Sequence, residues 1–111
     1  MPRFKNLRNQ VIEAAESGVI KGLDGRLLHI RNSFSALNTL IQGAGAVVCK
    51  QWLVHMMAEV YASGLDVKLV GSIHDEYQFE VSNQDVKRFT EITKYSMIKT
   101  TKTLNLNCPL D

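Results

Sequence analysis

Residues 71–81 read GSIHDEYQFEV. Two runs rich in β-forming residues flank His74, Asp75 and Glu76, so segment 67–82 reads as a β-hairpin with those three residues at its tip. A tight hairpin turn ordinarily takes Asn-Gly or Asp-Gly. With Asp75 and Glu76 as the two loop residues, His74 faces Tyr77 and Ile73 faces Gln78. Val70, Ser72 and His74 then share a face with Tyr77, Phe79 and Val81. Leu69, Gly71 and Ile73 share the other face with Gln78 and Glu80. Both carboxylates project from the rim of a sheet, where a ligand can reach them. Taken alone, the tripeptide is explained most simply as a solvated polar turn. Adjacent carboxylates also repel, and a divalent cation relieves that repulsion. Mg²⁺ takes oxygen ligands, usually one or two protein carboxylates, and completes its shell with water and phosphate oxygens.

Outward from this hairpin the chain divides into recognisable segments. Phe4, Leu7, Val11, Ile12 and Ala15 recur at helical spacing, predicting a helix over about 4–17 that Gly18 stops. Next, VIKGLDGRLLHI predicts a second hairpin, with Asp24-Gly25 as an ordinary turn and no catalytic part for Asp24. A long helix is expected over about 35–62, capped by Ser33 or Ser35, ended by Gly64, and packed on most sides. On it Asn38, Gln42, Gly45 and Cys49 fall on one face. The mid-helix Gly43 and Gly45 each cost about 1 kcal/mol relative to Ala, which suggests close approach of a backbone or a ligand. A third helix, over about 84–102, begins near Ser82 or Asn83 and carries Lys87, Arg88, Lys94, Lys99 and Lys102. The tail LNLNCPLD reads as a short final strand. This order predicts an α+β fold, an antiparallel sheet of hairpins with packed helices.

A length of 111 residues suggests one domain, 1–111. The net charge of +2 neither demands nor opposes a nucleic-acid partner. Cys49 and Cys108 lack metal-ligand spacing and suit the free thiols of a cytoplasmic protein. The N-terminus has no apolar signal core, and the apolar stretch near 44–57 is interrupted by Cys-Lys-Gln and His, so no membrane partner is expected. His74 could donate to a backbone oxygen or sugar beside a phosphate site. Asn38 and Gln42 are either a solvated stripe or a pair able to reach the N3 and O2 acceptors of a minor groove. Trp52, His55 and both cysteines read as structural.

Taken in order, IKGLDGRLLHIRNSFSALNTLIQGAGAVVCKQW (20–52) and IHDEYQFEV (73–81) resemble the C-terminal palm of family A, DNA polymerase I-like DNA polymerases, and the phage replicative branch in particular. The set of an LDGR hairpin, an N-x-x-x-Q-G helix and a hydrophobic-H-D-E hairpin carries the resemblance. It implies that Asp75 is the motif C aspartate that binds the catalytic metals and Glu76 its acidic, weaker neighbour. It also implies that His74 lies near the primer terminus, that Asn38 and Gln42 contact primer-template, and that Arg31 is a basic residue ahead of the same helix. Phe34 departs from the pattern, standing where relatives often carry Arg or His. The implied cofactor is a pair of Mg²⁺ ions. The implied partners are primer-template DNA and dNTP in the complete enzyme, in a bacterial or phage-infected cell.

Two parts of the family pattern do not occur in these 111 residues: a D-Y-S-Q-I-E-like segment with a further metal-binding aspartate, and an R-x-x-x-K-x-x-x-F-x-x-x-Y-G fingers helix. The expectation is a partial polymerase palm, from a split gene, a prophage remnant or an excised piece, that does not extend primers alone. It would partner a separate polypeptide carrying the rest, or self-associate through an exposed sheet edge. The alternatives are a degenerate palm acting as a non-catalytic DNA-binding module, a metal-dependent nuclease or phosphotransferase using the same carboxylates, and a remnant that binds nothing.

Overall fold

The structure, a computed structural model, describes residues 2–110. Helix α1 (Pro2–Ala14) tightens into a 3-10 turn at Ala15–Ser17. Gly18 follows in the left-handed region at φ 84°, and its N–H bonds Ala15 O, which closes the helix where the sequence predicts. Strands β1 (Val19–Lys21) and β2 (Leu27–His29) pair antiparallel, Ile20 opposite Leu28. A 3-10 turn at Ser33–Ser35 leads into α2 (Ala36–Ser63). Strands β3 (Val67–Ile73) and β4 (Glu76–Val81) form the second hairpin, and α3 (Val86–Thr103) completes the order. The fold is α+β, built on two separate two-stranded sheets. The chain clusters into two compact units that divide at Val47/Val48.

In the first unit Val11, Ala15, Ile20 and Ala36 form the buried core, with Leu28, Ile30, Leu37 and Leu40 packed on it. Phe4 and Leu7, expected on the same apolar face of α1, are exposed. Asn32, not Ser33 or Ser35, caps the entry to α2: its Oδ1 accepts the Phe34 N–H at 2.9 Å. The cost of Gly43 also finds its reason here. A Cβ on Gly43 would stand 3.3 Å from Leu28 Cδ1, so what approaches is a side chain of β2 rather than a backbone or a ligand. Gly45 faces open space.

The second unit buries Val60, Val67 and Phe89, with Leu65, Phe79 and Val81 against them. Phe79 of β4 and Phe89 of α3 meet edge to face at 4.9 Å between centroids, clamping hairpin to helix. Trp52 Nε1 donates to Thr93 O at 3.1 Å and ties α2 to α3. His55 Nε2 lies 3.1 Å from the Gln51 amide and 3.2 Å from Thr103 Oγ1. Burial, aided by the nearby Lys99 charge, lowers its pKa below the usual histidine value, which suits a neutral, hydrogen-bonded ring. Gly64 ends α2 at φ 67°.

Three expectations need correction. Exposed Ile41, Val54 and Tyr61 show that α2 is not packed on most sides. Asp85, not Ser82 or Asn83, is the N-cap position of α3, and its Oδ2 accepts the Asp66 N–H at 3.0 Å. The predicted final strand is absent among the described residues, which end at Leu110. The N–H groups of Leu104, Asn105 and Leu106 are instead spent on Thr100, Lys102 and Thr101 carbonyls, with Asn105 at φ 53°.

Candidate functional site

At the tip of the second hairpin Ile73 pairs with Glu76, so the two connecting residues are His74 and Asp75 rather than Asp75 and Glu76. His74 takes φ 55°, while Asp75 is not among the residues of positive φ. A positive φ at only the first central position belongs to the II′ kind of turn, which matches the right-handed strand twist and prefers glycine there. Histidine tolerates the region better than most side chains, at a cost of about 1 kcal/mol.

The faces also differ from expectation. The register shifts between Leu69 and Gly71, leaving Val70 as an extra residue, a β-bulge. Below the bulge Val67 and Leu69 stand opposite Val81 and Phe79; above it Ser72 stands opposite Tyr77. The inner face therefore carries Val67, Leu69 and Ser72, not Val70 and His74. Gly71 and Ile73 share the outer face with Gln78 and Glu76.

His74, Asp75 and Glu76 are thus brought together on the tip, all three exposed. Tyr77 anchors it from beneath: its ring lies 5.9 Å from that of Trp52, and burial, with Cys49 adding to the effect, raises its phenol above the usual tyrosine value. Glu76 Oε1 accepts a hydrogen bond from Gln78 Nε2 at 3.0 Å. Among the described residues Asp75 has no ion-pair or hydrogen-bond partner, and no group of three or more His, Cys, Asp or Glu is placed to hold a metal ion by itself. Carboxylates are the kind of oxygen ligand that Mg²⁺ takes, usually one or two from the protein, with water and phosphate oxygens completing the shell.

Asn38, Gln42 and Arg31 are all exposed. Asn38 and Gln42 stand one turn apart on α2, about 6 Å along its axis. They and Arg31 belong to the first unit, the tip to the second. Phe34, an apolar ring, is 75% exposed. Gln78 and Gly71 carry no functional signal in the sequence, since a glutamine on an open strand face is ordinary.

A profile of DNA polymerase family A matches residues 7–111. The chain belongs to DNA polymerase family A. Among relatives in this family, the DNA-directed DNA polymerase of Enterobacteria phage T3 is 36% identical over 99 residues, covering 83% of this chain and 14% of that protein. That of Escherichia phage Phieco32 is 34% identical and covers 98% of the chain and 19% of its own length. The DNA polymerase I of Aquifex aeolicus is 32% identical over 97% of the chain. This family A chain therefore spans less than a fifth of the length of these relatives. Among solved structures, the POL domain of Pol1 from M. smegmatis, in complex with DNA primer-template and dNTP, superposes with a TM-score of 0.77 over 86% of the chain and 19% of its own, at 22% identity. That likeness concerns the fold. No described helix is long and apolar enough to cross a membrane.

Proposed function

We propose that this chain is a palm segment of a family A DNA polymerase that supplies the motif C carboxylates and primer-template contacts for template-directed nucleotidyl transfer. The observation that carries the reading is the hairpin tip: within a family A sequence, Asp75 and Glu76 stand exposed on a two-residue connection, and Asp75 has no protein partner among the described residues. In this reading Asp75 and Glu76 hold Mg²⁺. Bound there in the complete enzyme, the metal supplies Lewis-acid stabilisation of charge on the transferring phosphoryl group. His74 lies beside the primer terminus. Asn38 and Gln42 donate to minor-groove acceptors, which every base pair presents and which report duplex shape. Arg31 adds a phosphate contact. The site of action is the cytoplasm of a bacterial or phage-infected cell.

The 111 residues alone contain neither the second metal-binding aspartate segment nor the fingers helix, and they are expected to extend no primer. Among the described residues β3 and β4 form a sheet of only two strands, so its outer edges are open to a strand from the rest of a polymerase or from a second copy. The test is a Mn²⁺ titration followed by NMR, with primer extension in parallel. Paramagnetic broadening centred on residues 74–76 and lost in Asp75→Asn, together with no extension by the chain alone, is the expected result. Salt-sensitive DNA binding without Mn²⁺ at Asp75 would instead favour the non-catalytic binding module. Robust incorporation by the isolated chain would overturn the partial-palm reading.

A further inference from the structure

We propose that Gln78 is a positioning residue for the Glu76 carboxylate, and that Gly71 is the gap that allows it to act. The proposal rests on the reading of Asp75 and Glu76 as metal-holding carboxylates and extends it to a neighbouring pair of residues. Gln78 and Glu76 lie two apart on β4 and so stand on the same outer face. Their Cα atoms are separated by roughly 7 Å of strand, so the glutamine must lie along the sheet surface to reach. It does reach, with Nε2 donating to Glu76 Oε1 at 3.0 Å.

The register explains how. Directly opposite Gln78 is Gly71. A Cβ on Gly71 would sit 3.1 Å from Gln78 Oε1, 3.5 Å from its Cβ and 3.6 Å from its Cδ. The amide therefore rests over the β3 backbone in space that any other residue would fill. Gly71 is not among the residues of positive φ, so its own backbone does not require glycine. The close contact comes from across the sheet, where a Cβ would push the Gln78 amide aside by a few tenths of an ångström. A glycine within a strand weakens it and commonly marks close approach of another group; here that group is the glutamine amide.

The chemistry suits a carboxylate that holds a cation. A neutral amide donor fixes one oxygen of Glu76 without bringing a positive charge that would compete with the ion, as Arg or Lys would. Oxygen Oε2 stays available to the metal. Carboxylates that ligate metals are typically held by such outer hydrogen bonds, and removing these partners weakens metal affinity by about 10–100-fold.

The test uses the 111-residue chain, Mn²⁺ as the probe and NMR as the readout. In the metal-free chain, Glu76→Gln shifts the Gln78 side-chain amide resonances, and Gln78→Leu shifts the Glu76 carboxyl carbon. With Mn²⁺, Gln78→Leu and Gly71→Ala each weaken binding by about tenfold. The double variant is no weaker than either single one, because both remove the same interaction. Thermal midpoints recorded alongside separate this from unfolding, and if Gly71→Ala fails to fold, Gln78→Met, which keeps the length of the side chain and removes the donor without adding charge, takes its place. Wild-type Mn²⁺ affinity in Gln78→Leu, with affinity lost in Asp75→Asn, overturns the role of Gln78 and leaves the carboxylate reading standing. Absence of Mn²⁺ binding by the wild-type chain defeats the carboxylate reading, and uncoupled metal-free shifts then defeat the positioning of Glu76 as well.

Discussion

The β1–β2 and β3–β4 hairpins each place an aspartate in the connection, and the two are held in opposite ways. Asp24 is tied to its own turn. Its Oδ2 lies 2.8 Å from Arg26 Nε, and its Oδ1 accepts the Arg26 N–H at 3.2 Å. Gly22 bonds Arg26 O at 2.7 Å, and Gly25 N–H bonds Gly22 O at 3.0 Å with φ 86°. The turn is thus a three-residue loop with glycine where the left-handed conformation is needed. In the second hairpin the left-handed position falls to His74, and Asp75 stabilises nothing nearby among the described residues. One acid builds a bend; the other stands on a bend that histidine makes at some cost. Acidic residues at hairpin tips are therefore distinguished by what already occupies their oxygens.

The largest expected effect separates the anchors of the two hairpins. Phe89 clamps Phe79 and belongs to the core of the second unit only. Phe89→Ala should cost about 3–5 kcal/mol, and hydrogen exchange should show β3–β4 amides opening well before those of β1–β2. Equal loss of protection in both would show that the units unfold as one. Next comes metal affinity. Asp75→Asn should weaken Mn²⁺ binding at least about tenfold with melting behaviour nearly unchanged, about 0.5 kcal/mol at most. Asp24→Asn should leave Mn²⁺ binding intact, and metal broadening at both tips would erase the distinction between them. Smaller is the backbone effect in the first turn, where Gly25→Ala should destabilise by about 1 kcal/mol in chemical denaturation. Smallest is its counterpart: His74→Gly should stabilise by roughly 0.5 kcal/mol, the relief of a left-handed histidine less the added flexibility of glycine in the unfolded chain. A loss of stability there would mean that the imidazole holds the tip together.

Much of this architecture was legible before any coordinates. The helical spacing of Val11 and Ala15, the stops at Gly18 and Gly64, and the Asp24-Gly25 signal all lie where local chemistry dictates structure. The exposure of Asp75 and Glu76 was legible for the same reason. The one-residue error at the tip was not avoidable from pattern alone, because shifting the turn changes which acid lies in the strand without breaking either run of β-formers. Val70 breaks the apolar-polar alternation of Val67, Lys68 and Leu69, but two apolar neighbours in a row equally suit a strand covered on both faces, so the bulge stays hidden. LNLN alternates like a strand, but its first N–H groups close α3 instead. The link between Gln78 and Gly71 depends on register across the sheet, which neither residue encodes by itself.

The extra residue at Val70 has a consequence for how this hairpin can vary. Because β3 changes pleat phase part-way along, its apolar foot and its acidic end follow separate rules of inward and outward alternation. Substitutions that retune packing around Phe79 need not rotate the oxygens at the far end. Deleting Val70 would set Gly71 directly after Leu69 and restore regular pairing with Gln78 and Phe79, so both ends would keep their faces and only the local bend and added twist would go.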